Sequence, residues 1–272
     1  MIGPILRRAE AGRTPSRREI LLMLRAEADE YRSLLEVAGR ICRKTKGEEP
    51  SLRFLVDLEV SEPQQVRDEV IHAWRRGCRS VLLCASPQYD AVGEVAALIR
   101  HIAAETEMEI ALGLGERPYD VYALWRSAGA GEYLLPHDCC NPELFAHLYP
   151  GQSPAMRLTR GLWLKGLGYR VTGGICVGIR GQTDEDVADD LEVLRNAGFS
   201  GVVVRAADGA ADVLRVLAIA RLCLPEADLW VATEDPVLQA RALSCGANIL
   251  VTAHPDGARP EVPRMLSYGT SR

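Results

Sequence analysis

His137 and Asp138 stand side by side in Leu135-Pro-His-Asp-Cys-Cys-Asn141, and an imidazole beside a carboxylate can pass a proton at neutral pH. The same two residues also read as groups that simply order a loop. Cys139 and Cys140 follow directly, with Cys84 earlier in the chain. Adjacent cysteines point apart in extended backbone and lack the C-x2-C spacing that closes on one ion, so no metal site is expected. Glu116 ends the run Ala111-Leu-Gly-Leu-Gly-Glu116, where it either faces a ligand or stabilises the start of the next helix through the dipole. In Gly178-Ile-Arg-Gly-Gln-Thr183, the amides around Gly178, Arg180 and Gln182 offer an anion cradle. The competing reading is a turn and a helix start, with Thr183 and Asp186 spaced as a capping box. Arg180, Arg205, Glu234 and His254 would suit a small zwitterionic or carboxylated ligand if the fold gathers them.

These residues need elements to position them. From Leu52 onward, short apolar runs alternate with amphipathic helical stretches. The expected strands are 52–60, 80–85, 109–114, 132–135, 171–178, 201–205, 228–232 and 248–251. Helix-to-strand joints at Gly77, Gly129, Gly198 and Gly246 share a glycine that ends a helix in the left-handed region. Such alternation predicts an α/β fold, a (β/α)8 TIM-type barrel at residues 51–258, with an open doubly wound sheet as the alternative. Ahead of it, residues 1–50 form a helical extension, with one helix expected from Ser16 to Lys46 and packed over the bottom or side of the barrel. Residues 259–272 read as a tail. Barrel chemistry collects at the carboxyl ends of the strands. That rule selects Glu59, Ser86, Glu116, Arg117, His137, Asp138, Cys139, Cys140, Arg180, Gln182, Arg205, Glu234 and His254, and sends Cys78 and Cys245 to the opposite, structural face.

Composition narrows the partners. With 272 residues, 47% of them hydrophobic, the chain can bury a full barrel core. A net charge of -5 argues against nucleic acid, whose phosphates demand a basic face. No apolar run is long enough to span a bilayer, and the Arg-rich start lacks a signal core, so a cytoplasmic protein is expected. Eight cysteines set mostly in apolar runs fit a reducing compartment rather than a disulfide framework.

Four stretches in order carry a family likeness: Ala111 to Glu116, Ala128-Gly-Ala-Gly-Glu-Tyr-Leu-Leu135, His137 to Pro142, and Gly173-Gly-Ile-Cys-Val-Gly-Ile-Arg-Gly-Gln-Thr183 through Asp190. Arg221-Leu-Cys-Leu-Pro225 and Ala240 to Asn248 extend it. Together they resemble the biotin-synthase branch of the radical S-adenosylmethionine superfamily, nearest the iron-iron hydrogenase maturase and methylornithine synthase group. The resemblance implies a barrel in which the loop after the first strand carries Cys-x3-Cys-x2-Cys. Those three thiolates hold three irons of a four-iron cluster, and the fourth iron is left to S-adenosylmethionine. It also implies that Glu116 faces the cofactor and that an arginine stands where this chain has Pro136.

The sequence departs from that pattern. Glu59-Val60-Ser61-Glu62-Pro63 runs straight into the next helix, with Ser61 as a candidate cap, and has no cysteine. The stretch after the sixth strand is cut to Arg205-Ala-Ala-Asp-Gly209. The expectation is therefore a barrel without the cluster, with S-adenosylmethionine as a possible ligand. Such a barrel would bind a small molecule at its mouth or pair with a related radical S-adenosylmethionine enzyme. The alternative is an enzyme using acid-base chemistry of Glu116, His137 and Asp138, with Gly178, Arg180, Gln182 and Arg205 as further binding residues.

Overall fold

The structure, a computed structural model, describes residues 1–60, 62–207 and 212–254. Eight parallel strands form its centre: β1 (Ser51–Asp57), β2 (Ser80–Cys84), β3 (Glu109–Gly113), β4 (Glu132–Leu134), β5 (Arg170–Val177), β6 (Gly201–Ala206), β7 (Asp228–Val231) and β8 (Ile249–Thr252). Each pairs with the next in sequence as far as β7, and β8 pairs with β1 through Ser51↔Ile249 to Phe54↔Thr252. The seam between β7 and β8 is held by the Asn248 amide donating to the Leu229 carbonyl at 2.9 Å. The result is a nearly closed (β/α)8 barrel.

Helices α1 (Gly3–Glu10), α2 (Arg17–Leu24) and α3 (Ala28–Lys46) precede β1. Around the barrel follow α4 (Pro63–Arg75), α5 (Val92–Glu105), α6 (Tyr119–Ala128), α7 (Pro142–Leu148), α8 (Pro154–Gly166), α9 (Asp184–Ala197), α10 (Val213–Cys223) and α11 (Pro236–Ser244). The single helix expected from Ser16 to Lys46 is in fact two. Ser16 caps α2 through a full capping box with Glu19, and the chain breaks at Arg25 to Glu27 before α3 begins at Ala28, whose φ of 48° is left-handed. Apolar periodicity runs through the break because both helices bury an apolar face against the barrel's outer helices, α2 on α9 and α10 and α3 on α10. Nor does Ser61 have to cap α4: the N-cap is Glu62, with Pro63 in the first turn, and Ser61 lies outside the described residues.

The extension lies along the side of the barrel. Leu34, Val37, Ala38 and Ile41 of α3 recur at helical spacing and are buried. They bury against α10, while α2 sits against α9. Gly39 permits the closest approach, since a Cβ there would lie 2.2 Å from the Ser244 carbonyl oxygen at the end of α11. The glycines predicted to end helices all have positive φ, and Gly198 closes α9 as a left-handed cap.

Inside, the barrel is layered. Its middle is apolar, built from Leu55, Leu82, Ala111, Leu134, Val203, Trp230 and Val251. Its amino-terminal floor is ionic. Arg53 donates from Nη1 and Nη2 to the two oxygens of Glu132, each at 2.8 Å, and Arg170 and Thr172 also donate to Glu132. Burial pushes the Glu132 carboxyl up, but the Arg53 charge and these hydrogen bonds outweigh it and hold the group below its ordinary value.

Candidate functional site

At the carboxyl end, β6, the segments after β3 and β4, and α8 bring charged side chains to the mouth. From β6 comes Arg205, buried, with Nε and Nη2 each 3.1 Å from an oxygen of Asp138. Asp138 follows β4 and pairs with β5 through an isolated bridge to Ile175. Its φ of 65° turns the chain there, a conformation aspartate tolerates better than most residues. The Tyr149 hydroxyl donates to the same carboxylate. Burial raises the Asp138 carboxyl, but the Arg205 charge and hydrogen bond prevail, so it stays ionised and below its usual range.

Arg157 of α8 continues the chain of contacts. Its guanidinium lies 3.9 Å from the centre of the Tyr149 ring, donates to Glu116 Oε1 at 2.8 Å and reaches the Pro136 carbonyl at 3.1 Å. Arg160, one turn on, takes the other oxygen of Glu116. Glu116 thus sits between two arginines, and an unbroken path runs Arg160, Glu116, Arg157, Tyr149, Asp138, Arg205. Pro136 packs against Gly174, where a Cβ would come within 2.7 Å of the proline ring.

His137 and Asp138 are not joined as a proton-passing pair, because the backbone turn at Asp138 sends their side chains to different neighbours. The imidazole Nε2 lies 3.2 Å from Cys140 Sγ, and Nδ1 is buried without a partner. Burial lowers the His137 pKa to about 4 against the raising influence of Asp138, so the ring is neutral at pH 7. Asp190 of α9 accepts the Cys140 amide and has its pKa raised to about 7, chiefly by burial. Both thiols are pushed up by burial and by Asp190, Cys139 to about 12 and Cys140 further, so neither is a ready thiolate.

The glycine-rich turn after β5 holds an internal acceptor. Gln182 Oε1 takes the Gly178 amide at 2.8 Å and the Ile179 amide at 3.4 Å, while its Nε2 donates to the Cys176 carbonyl at 2.8 Å. The predicted Thr183–Asp186 capping box is present. Arg180, Glu234 and His254 are exposed, and only Arg205 of that quartet enters the ionic path. Ser86 donates to Glu59 at 2.5 Å, and Arg117 braces the loop after β2 through the carbonyls of Pro87 and Tyr89.

Arg157, Arg160, Tyr149 and Asp190 were not among the residues expected from the sequence. They lie within or just after helices, outside the strand-end positions that the barrel rule selects. The one available signal was the spacing of Arg157 and Arg160, which places two cations on one helix face.

The connection after β1 lacks the Cys-x3-Cys-x2-Cys run that the resemblance implies for holding a four-iron cluster. Among the described residues no cysteine lies between β1 and α4, and no three His, Cys, Asp or Glu side chains converge as a metal-ligand set. Cys84 ends β2 inside the apolar middle layer, Cys139 and Cys176 are buried against Leu144 and Ile179, and Cys78 and Cys245 are buried in turns at the other end.

No family model matches the chain. Among curated proteins it is 27% identical to the FeFe hydrogenase maturase subunit HydE of Thermotoga maritima, with 80% of this chain and 74% of that protein covered. It is 25% identical to the biotin synthase of Cutibacterium acnes, where the match spans 71% of this chain and 62% of the synthase. Among solved structures, methylornithine synthase PylB superposes with a TM-score of 0.83 at 18% identity, over 94% of this chain and 88% of that one. The hydrogenase maturase HydG gives 0.78 at 13% identity, covering 92% and 68%. At those identities the superpositions show the fold. No helix among the described residues is long and apolar enough to cross a membrane.

Proposed function

This chain is a homologue of the radical S-adenosylmethionine barrels, close to the hydrogenase maturase group, and from that premise we propose that it works without the four-iron cluster, as a small-molecule-binding barrel or a scaffold or regulatory partner of an active maturase-type enzyme. The observation that carries this reading is the connection after β1. Leu58-Glu-Val-Ser-Glu62 passes directly into α4 with no cysteine, where cluster ligation needs three converging thiolates. Support comes from the mouth, where Glu116 and Asp138 are paired with Arg157, Arg160 and Arg205, which leaves one surplus positive charge there. A ligand there has to exchange with an internal ion pair, which favours a small carboxylated or zwitterionic molecule able to replace Glu116 between Arg157 and Arg160.

The test is anaerobic reconstitution with iron and sulfide, followed by metal and sulfide analysis and visible absorbance. The expected product is colourless protein with substoichiometric, chelator-removable iron. A stoichiometric cluster that survives desalting would overturn the reading.

A second reading, acid-base catalysis at the mouth, is favoured by the neutral, buried imidazole of His137 with its unpartnered Nδ1. In it His137 moves a proton, while Glu116 and Asp138 hold the charge of the groups that orient the substrate. Equal turnover by wild type and His137→Ala on an identified substrate would remove His137 from that mechanism. S-adenosylmethionine as an uncleaved ligand follows from Glu116 and the turn at Gly178. Calorimetry with S-adenosylmethionine that gives no heat would reject it.

A further inference from the structure

At the opposite end of the barrel, where strands begin and side chains ordinarily serve stability, the floor opens into a cavity of about 600 Å³. That volume falls within the range of small-molecule sites. Its wall is charged: Lys46 from the end of α3, Arg53, Arg79, Glu109, Arg170 and Asp228 all line it. Most of these charges are matched. Lys46 lies 2.9 Å from Asp228, Arg170 reaches Glu109 at 2.6 Å, and Arg53 and Arg170 share the buried Glu132 beneath.

Arg79 is different. It is exposed at the rim, its Nη1 donates to the carbonyls of Trp74 and Cys78, and it forms no ion pair within 4.0 Å among the described residues. With Glu132 counted, four cations face three carboxylates, so the cavity carries one surplus positive charge in a chain whose net charge is -5. A guanidinium fork at the mouth of a polar recess is suited to an oxyanion. The carboxylates of Glu109 and Asp228 further in would accept hydrogen bonds from hydroxyl or amino groups on the same molecule.

We propose that the amino-terminal face of the barrel carries a second ligand site, for a small hydrophilic oxyanion held by Arg79 and selected by the alternating charges of Lys46, Arg170, Glu109 and Asp228. The N-terminal extension builds one wall through Thr45 and Lys46, so the site links the extension to the barrel floor. It is independent of whether the mouth binds a cluster or a substrate.

The full chain, in phosphate-free buffer at ionic strength fixed with chloride, is titrated with inorganic phosphate and separately with malonate, and the thermal midpoint is followed. A saturable rise is expected with at least one of them, and which one responds assigns the site to phosphates or to carboxylates. Arg79→Gln should weaken the apparent affinity about tenfold, the loss of one charge-assisted contact. Ser51→Glu, which adds a negative charge to the exposed lining, should abolish the rise and serves if Arg79→Gln lowers the unliganded midpoint. Arg160→Ala, at the mouth, should leave the rise intact. The proposal is overturned if neither oxyanion acts beyond chloride, if the rise survives both floor variants, or if it is lost in Arg160→Ala.

Discussion

Arg205 grips both oxygens of Asp138 from the far side of β5, Nε and Nη2 each at 3.1 Å, and neither residue is open to solvent. Burying two charges costs several kcal/mol per ion, and the pair holds because its geometry is two-pronged and Tyr149 completes the carboxylate. Arg205→Met should therefore lower stability by about 3–5 kcal/mol, since it strands Asp138. The double variant Arg205→Met/Asp138→Asn should recover part of that loss, with a coupling of up to about 3 kcal/mol in urea unfolding at pH 7. Additive losses in the cycle would show that the pair does not act as a unit.

Gln182 occupies the turn after β5, with one side-chain oxygen accepting from two amides. Gln182→Ala should cost about 1 kcal/mol, because water can replace the lost acceptor at the exposed Gly178. Hydrogen exchange at the Gly178 amide should speed up while the amides of β5 stay protected. Unchanged exchange at Gly178 would mean that the side chain does not occupy the cradle in solution.

Gly39 sets how closely α3 approaches α11. Any Cβ there meets the Ser244 carbonyl oxygen at 2.2 Å, and a backbone atom gives way less easily than a flexible side chain. Gly39→Val should destabilise by about 1–3 kcal/mol and loosen residues 1–50 first. Limited proteolysis that cuts between α3 and β1 while sparing the barrel would be the direct readout. A variant as protease-resistant as wild type would show that the extension can shift without loss.

The eight strands were legible because a parallel barrel buries both faces of each strand, leaving short apolar runs that glycine turns delimit; β5, expected at 171–178, is observed at Arg170–Val177. The capping box at Thr183 was legible because it is local, three residues of sequence and nothing else. The partners of Glu116 and Asp138 were not. Arg157 lies 41 residues from Glu116, and Arg205 lies 67 from Asp138. Pairings at such separations are fixed by where strand ends and helices meet in space, which periodicity does not encode. For the same reason the sequence left His137 and Asp138 open between a proton-passing pair and loop-ordering groups, and it is the left-handed backbone at Asp138 that gives them different partners.

Around Cys140, His137 and Asp190 of α9 are two buried groups with opposite pH responses. The Asp190 pKa is raised from 3.8 to about 7, so between those values the folded state holds a proton that the unfolded state has released. Its contribution to stability therefore falls as pH rises through that window, by up to about 1.4 kcal/mol per pH unit. His137 runs the other way. Its pKa is lowered from 6.5 to about 4, so within that range the unfolded state holds the extra proton and stability rises with pH. The two slopes oppose each other where they overlap, and the contribution of this pair in wild type should be nearly flat from about pH 4.5 to 6. Asp190→Asn should unmask the rising slope and His137→Gln the falling one, measured as urea unfolding free energies across that range. If both variants keep the wild-type profile, neither group is buried and neutral in the way its surroundings at Cys140 require.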